Sequence, residues 1–344
     1  MQEVKRYVHN IYNNKLEYYS GYESFCYQNC LRILLISKGI TNAELYINSS
    51  MSLIYDPKEK DGFQLQCHQD TRSLLPNYLN YVKRNCYNKF VNTTDIFTQN
   101  TRTILQDNSP IIVGVDTFYM PYAINYHKKH AIHTALLCGF DLDENVVYII
   151  DWYEPWLFKG KVNIEEFLLA RNSDNSYDGT IFSGDPILNN WAIIEEFHNY
   201  EEPTELLKET LRLSMLQYYD NNTDKIIGIE ALKKVQKQIE KNDDDKSSYS
   251  NICNQLYIAL KRHKLFCQYL KNIKKYESIE KMDTIINLFD SLSKIWDIIL
   301  MLLMKQSIVI NNRTKERINN NFINAIEKEE EIKRLVIELY KEKI

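Results

Sequence analysis

Three apolar runs follow one another through the middle of the chain: Ile111-Ile-Val-Gly-Val-Asp116, Ile132 to Phe140, and Asn145-Val-Val-Tyr-Ile-Ile-Asp151. The first is continuous rather than alternating, as expected of a strand buried on both faces. The segment Asp141 to Asn145 between the other two reads as a turn, so those two runs pair as an antiparallel hairpin. A chain that carries these runs is constrained to build an antiparallel sheet around them.

The hairpin has a chemical consequence. His133 opens one strand and Asp151 closes the other, and antiparallel pairing brings those two ends side by side. A carboxylate can then hold an imidazole in one tautomer. Upstream, Cys26 stands at the mouth of an apolar helix in which Leu31, Leu34, Leu35 and Ile36 recur at helical spacing until Gly39 stops the run. A thiol there feels the positive end of the helix dipole and nearby backbone N–H groups. Both favour the thiolate, and the same N–H groups can hold an oxyanion. Taken singly, Cys26 reads as a small buried residue, His133 as a strand histidine and Asp151 as a turn residue. Together, in the order Cys, His, Asp at element ends, they fit nucleophilic catalysis.

Other residues are candidates for weaker reasons. Asp116 closes the first run and is followed by Thr117-Phe-Tyr119-Met-Pro121-Tyr122, a tyrosine-rich loop suited to an apolar substrate with polar ends. Capping of that loop is the competing role for Asp116. His127, His130 and His133, with Cys138 nearby, would share a face and could hold zinc if they were helical. On a strand, residues three apart point to opposite faces, so no metal is expected. Cys30 lies one turn beyond Cys26, as a core residue or a redox partner.

The rest of the chain divides in two. Strands are expected at 50–55, 63–67, 156–161 and 187–197. Helices are expected at about 74–82, from a cap at Thr94-Asp95 to Asp107, and from a cap at Asn163 to Arg171. After a junction at Asn199 to Pro203 only helices follow: 204–219, 226–241 (capped by Thr223), 249–274, the seam Met282, Ile285, Phe289, Leu292, Trp296, Ile299, Leu303, and 314–343. This predicts an α+β domain over 1–200 and an all-α bundle over 201–344. The formal charge of -4 gives no basic field for nucleic acid. The longest apolar run, Ile298 to Met304, is too short for a membrane span. No N-terminal stretch joins a basic start to an apolar core, so no signal peptide is expected. The seven cysteines are odd in number and form no CxxC pair, which predicts free thiols in a reducing cytoplasm. No Gly-rich phosphate loop is present, and no cofactor is expected.

Four segments resemble the papain-like superfamily near the C39 peptidases, and within it the family of the butirosin-biosynthesis acyltransferase. They are Cys26-Tyr-Gln-Asn-Cys-Leu-Arg-Ile-Leu-Leu35, Ile111 to Tyr122, His130-Ala-Ile-His-Thr-Ala-Leu-Leu-Cys-Gly-Phe-Asp141, and Val146 to Asp151; Thr223 to Leu232 in the helical region is similar too. Length and an Asn-, Lys- and Ile-rich composition also resemble the amide-forming enzymes of closthioamide assembly. The resemblance implies a papain-like cysteine-peptidase fold with Cys26 as nucleophile, His133 as base and Asp151 as orienting acid. It implies transfer of an acyl group from a carrier-protein phosphopantetheine thioester to a small amine, forming an amide in secondary metabolism. On that reading Asp116, Tyr119, Tyr122 and His130 line the pocket, and Asp116 pairs with a cationic amine. One departure stands out. Papain-like peptidases place a glutamine shortly before the nucleophile, whereas the only glutamine before Cys26 is Gln2. The oxyanion donors then fall to the Cys26 N–H and a side chain such as Ser24. A C39-like peptidase or amidase, and an inactive binding module, are the alternatives.

Overall fold

The computed structural model describes residues 4–16, 25–40, 42–47, 51–57, 63–66, 92–153, 156–179, 182–194, 203–219, 226–241, 245–276 and 278–343. In chain order the elements are β1 (Arg6–Val8), α1 (Cys26–Ser37), β2 (Ile54–Pro57), β3 (Phe63–Gln66), α2 (Thr93–Asp107), β4 (Ile111–Asp116), β5 (Ile132–Asp141), β6 (Val146–Tyr153), β7 (Trp156–Asn163), α3 (Ile164–Arg171), β8 (Trp191–Ala192), α4 (Pro203–Ser214), β9 (Ile226–Ile227), α5 (Gly228–Lys241), α6 (Lys246–Ile273), α7 (Met282–Ile308) and α8 (Asn312–Lys343). The protein is a mixed α+β chain with antiparallel sheets. It divides into two compact units, Met1–Ile47 with Pro76–Asn199 and Asn48–Leu75 with Tyr200–Ile344.

The first unit is built on one antiparallel sheet in the order β7-β6-β5-β4-β8, with β1 added along β5. Every residue of β4 is buried, as its unbroken apolar run requires. β5 and β6 form the expected hairpin, with Leu136 opposite Ile150 and a register shift between Leu137 and Gly139. Gly139 is demanded by packing: a Cβ there would lie 2.2 Å from the Tyr7 carbonyl oxygen of β1. Val113, Val115, Ala135, Leu137 and Ile149 of the sheet share one core with Ile96 and Ile104 of α2 and Phe167 of α3. α1 lies against β4, β5 and β6. Its Leu31, Leu34 and Leu35 are fully buried, each contributing roughly 1.5–3 kcal/mol.

Two strand expectations need correction. Of 187–197 only Trp191–Ala192 is strand among the described residues. Leu188 and Asn189 take left-handed backbone conformations that no strand accommodates. The segment is held instead by Arg171, whose fully buried guanidinium donates to the carbonyls of Gly114, Asn189 and Asn190. The second correction concerns β2 and β3, expected in the first domain. They belong to the second unit, because β2 pairs with β9 through Ile54–Ile227 and Tyr55–Ile226. Gln255 of α6 also accepts from the Leu65 N–H and donates to the Phe63 carbonyl. The helix expected at 74–82 lies outside the described residues, as does the Thr223 cap.

The second unit is otherwise helical. The α7 seam from Met282 to Leu303 is buried along its length. Ile226 and Ile227 form β9 rather than the start of a helix, and α5 begins at Gly228. Gly228 has a φ of +52°, and a Cβ there would stand 1.9 Å from the Tyr218 carbonyl oxygen, so only glycine makes this junction.

Candidate active site

Three elements of the first unit converge on one cluster. Cys26 is the first residue of α1, and the preceding Phe25 supplies no side-chain cap. The positive end of the helix dipole therefore faces the thiol. His133 is the second residue of β5, and Asp151 lies toward the end of β6. His133 Nε2 donates to Asp151 Oδ1 at 2.7 Å. With Nε2 committed, Nδ1 is the ring nitrogen left for the Cys26 sulfur, with which His133 shares a hydrogen bond. Asp151 is buried. Its second oxygen accepts from the Tyr122 hydroxyl at 2.5 Å, and the Tyr122 ring stacks on Phe158 with centroids 3.7 Å apart. Tyr122, expected to line the pocket, thus directs its hydroxyl to Asp151.

The electrostatics of this cluster favour an ion pair. Burial raises the Cys26 thiol. The charge of His133 and its hydrogen bond, with a smaller contribution from Thr134, more than reverse this and bring the thiol from 9.0 down to about 7. Cys26 as a residue keeps partial exposure, although its sulfur is densely surrounded. His133 moves the opposite way. Burial lowers it, but Asp151, then Cys26, hold it well above its ordinary 6.5. A depressed thiol beside a raised imidazole favours a thiolate–imidazolium pair, the nucleophilic form of cysteine.

A second imidazole–carboxylate pair sits at the same end of the sheet. His130 Nδ1 donates to Asp116 Oδ2 at 2.6 Å. The same oxygen accepts from Ser173 Oγ at 2.6 Å, and Oδ1 accepts from the N–H groups of Phe118 and Ala131. Asp116 is completely buried. Asp116 is thus held by His130, Ser173 and two backbone N–H groups of its own chain, and His130 is the more exposed member of the pair. The His130 ring stacks on Phe118 with centroids 4.3 Å apart and planes at 12°. Tyr119 lies edge-on to both rings.

The remaining candidates are placed as follows. Ser24 lies outside the described residues. Cys30 is buried, its thiol pointing at the Thr134 carbonyl and pushed well up by burial; Cys26 and Cys30 are both free. His130 and His133 turn to different carboxylates, and no group of three or more metal-ligating side chains occurs among the described residues. Ser173, Phe118 and Phe158 escaped the sequence reading, because nothing local marks a residue that supports a site from a distant loop or strand.

Residues 25–152 match the model of the family described as Butirosin biosynthesis protein H, N-terminal. The matched segment runs from the residue before Cys26 to the residue after Asp151, and over it the chain is similar to that biosynthetic family. No curated protein matches the chain.

Proposed function

We propose that this chain, similar over residues 25–152 to the butirosin biosynthesis protein H family, is a cysteine-dependent acyltransferase of natural-product biosynthesis. It forms an amide from an acyl thioester and an amine. The observation that carries the reading is the hydrogen-bonded series Cys26–His133–Asp151 with the thiol brought down to about 7. A nucleophile-bearing helix laid on an antiparallel sheet that carries the histidine and the acid also supports a papain-like fold.

In the first half-reaction Cys26 Sγ attacks the thioester carbonyl carbon. The oxyanion forms beside the first turn of α1, where backbone N–H groups stabilise it. Collapse breaks the bond to the donor sulfur, and the proton on His133 Nδ1 passes to that leaving thiol. The result is acyl-Cys26 and neutral His133. In the second half-reaction the amine nitrogen bonds to the acyl carbon, its proton goes to His133 Nδ1, and the bond to Cys26 breaks. The amide leaves and the thiolate–imidazolium pair is restored. A thioester is more activated than a peptide, so the lack of a glutamine shortly before Cys26 is better tolerated by transfer than by proteolysis. A carrier protein bearing the acyl group on phosphopantetheine is the donor this chemistry fits. The free cysteines fit a cytoplasmic setting.

The test is intact-mass measurement after incubation with a simple acyl thioester, beside Cys26→Ala. The expected result is an acyl mass gain on the wild-type protein, absent in the variant, and chased to an amide by added amines. An adduct discharged only by water would make the protein a hydrolase. No adduct, with Cys26 inert to alkylation, would make it a binding module.

A further inference from the structure

The exposed side of α7 changes character along its length. In the first half its exposed positions include Asp283, Thr284, Asn287 and Lys294, all polar. In the second half they are Asp297, Ile298, Met301, Met304, Lys305 and Ile308, with Val309 just past the helix end. Ile298, Met301, Met304 and Ile308 follow one another at spacings of three and four, so they form one stripe. Met301 and Met304 are each 59% exposed, and Ile308 65%. The buried seam through Phe289, Trp296 and Leu303 lies on the other side of the helix, which packs against α6 and α8. The bundle therefore does not use the stripe. Neighbouring apolar side chains left in water on a folded chain mark an interaction surface.

The order of residues along the stripe says what fits it. About Met301 as centre, Ile298 and Met304 stand three residues to either side, Asp297 and Lys305 four, and Lys294 and Ile308 seven. A second α7 laid antiparallel across the first, on a two-fold axis at Met301, sets each position against its counterpart. With the i±4 ridges of both helices interleaved, the commonest packing class, Met301 meets Met301 and Ile298 meets Met304. Asp297 meets Lys305, and the aliphatic stem of Lys294 covers Ile308. The symmetry makes each of the unlike pairings twice. Asp297 also bridges Lys264 of its own chain at 2.9 Å, but its side chain stays 57% exposed and open to a second cation. The flanks carry both signs of charge, so they select neither a uniformly acidic nor a uniformly basic partner. A membrane surface would want lysines along the flanks without an aspartate among them. The stripe is complementary to its own sequence read backwards.

We propose that the α7 stripe from Ile298 to Ile308 is a homodimer interface, covered by the same stripe of a second copy in antiparallel two-fold packing. The contact is one helix pair, small beside the interfaces of permanent dimers, so association is reversible and in the micromolar range.

The test is sedimentation equilibrium of the full chain. Wild type is expected to pass from monomer to dimer between about 1 and 200 µM. Met301→Glu puts two carboxylates on the axis and should weaken association more than about 100-fold. Asp297→Lys opposes lysine to lysine twice and should weaken it about ten-fold. Asp297→Lys combined with Lys305→Asp should restore wild-type association. Lys264 loses its partner in the single and the double variant alike, so that bridge does not explain the recovery. Thermal melts at the lowest concentration show that each variant is folded. A wild-type chain that stays monomeric throughout would overturn the proposal. So would a dimer indifferent to Met301→Glu, or a double variant no tighter than Asp297→Lys. Co-sedimentation of monomeric chain with phosphatidylglycerol vesicles, lost in Met301→Glu, would make the stripe a membrane face and overturn it as well.

Discussion

Replacing Asp151 by asparagine tests the electrical coupling along the site. The substitution preserves size and removes the charge. Burial alone would lower His133, and Asp151 is the largest of the influences that overcome it. Two unit charges about 4 Å apart interact by roughly 4 kcal/mol at an effective dielectric of 20, or about three pKa units. Removing that attraction lowers His133, which burial already disfavours as a cation. Cys26 then loses the imidazolium that brings its thiol from 9.0 to about 7, and burial pushes it back up. At pH 7 a thiol titrating near 7 is half ionised, whereas one near 9 is about 1% ionised. Alkylation of Cys26 by iodoacetamide at pH 7 should therefore fall roughly 50-fold. The assay is the rate of single alkylation between pH 5.5 and 9.5, read by mass and corrected with Cys26→Ala. The wild-type rate should rise through a midpoint near 7, since the thiolate appears as pH climbs past the depressed value. In Asp151→Asn the midpoint should move up by about two units. Cys30 and Cys267 are held up by burial, Cys267 to about 12, so they stay silent over this range. A folded Asp151→Asn with a midpoint within half a unit of wild type would refute the coupling.

Tyr122→Phe removes the hydroxyl donor from buried Asp151 but keeps the ring on Phe158. A hydrogen bond to a charged group contributes about 1.5–3 kcal/mol, so thermal unfolding should show a Tm lower by several degrees. An unchanged Tm would mean that Asp151 finds another donor. Gly228→Ala places a Cβ 1.9 Å from the Tyr218 carbonyl oxygen at a φ of +52°. It should cost more than about 2 kcal/mol, read as a lower urea midpoint, while Cys26 of the other unit keeps its alkylation midpoint near 7.

Much of the first unit is legible in the sequence because its signals are local. The β4 run, the β5–β6 hairpin and the Asn163 cap on α3 each depend on a few consecutive residues. The facing of His133 and Asp151 follows from hairpin arithmetic alone. Local competition blurs boundaries: Asn92, two residues before the expected Thr94, caps α2 by accepting from the Thr94 N–H. What the sequence hides is long-range. A carboxylate at a strand end reads the same whether it faces a ligand or its own chain, and Ser173, which helps to close off Asp116, lies 57 residues away. β9 was hidden for a similar reason. Two isoleucines before a helical period read as its first turn, and only β2, about 170 residues earlier in the chain, makes them a strand.

The two dyads are also tied to each other through a single loop. Between β4 and β5 the chain closes on itself: the Thr117 N–H donates to the Ala131 carbonyl, and the His127 N–H to the Phe118 carbonyl. Its rings reach outward from that base. Phe118 covers His130, the Tyr122 hydroxyl holds Asp151, and the Tyr126 hydroxyl donates to Glu166 of α3. Ring contacts of this kind contribute roughly 0.5–1.5 kcal/mol each beyond the area they bury, which offsets the entropy of ordering the loop. The loop therefore places both imidazoles, and a displacement of it moves both. A substitution that loosens its base should slow acylation of Cys26 and discharge to an amine together.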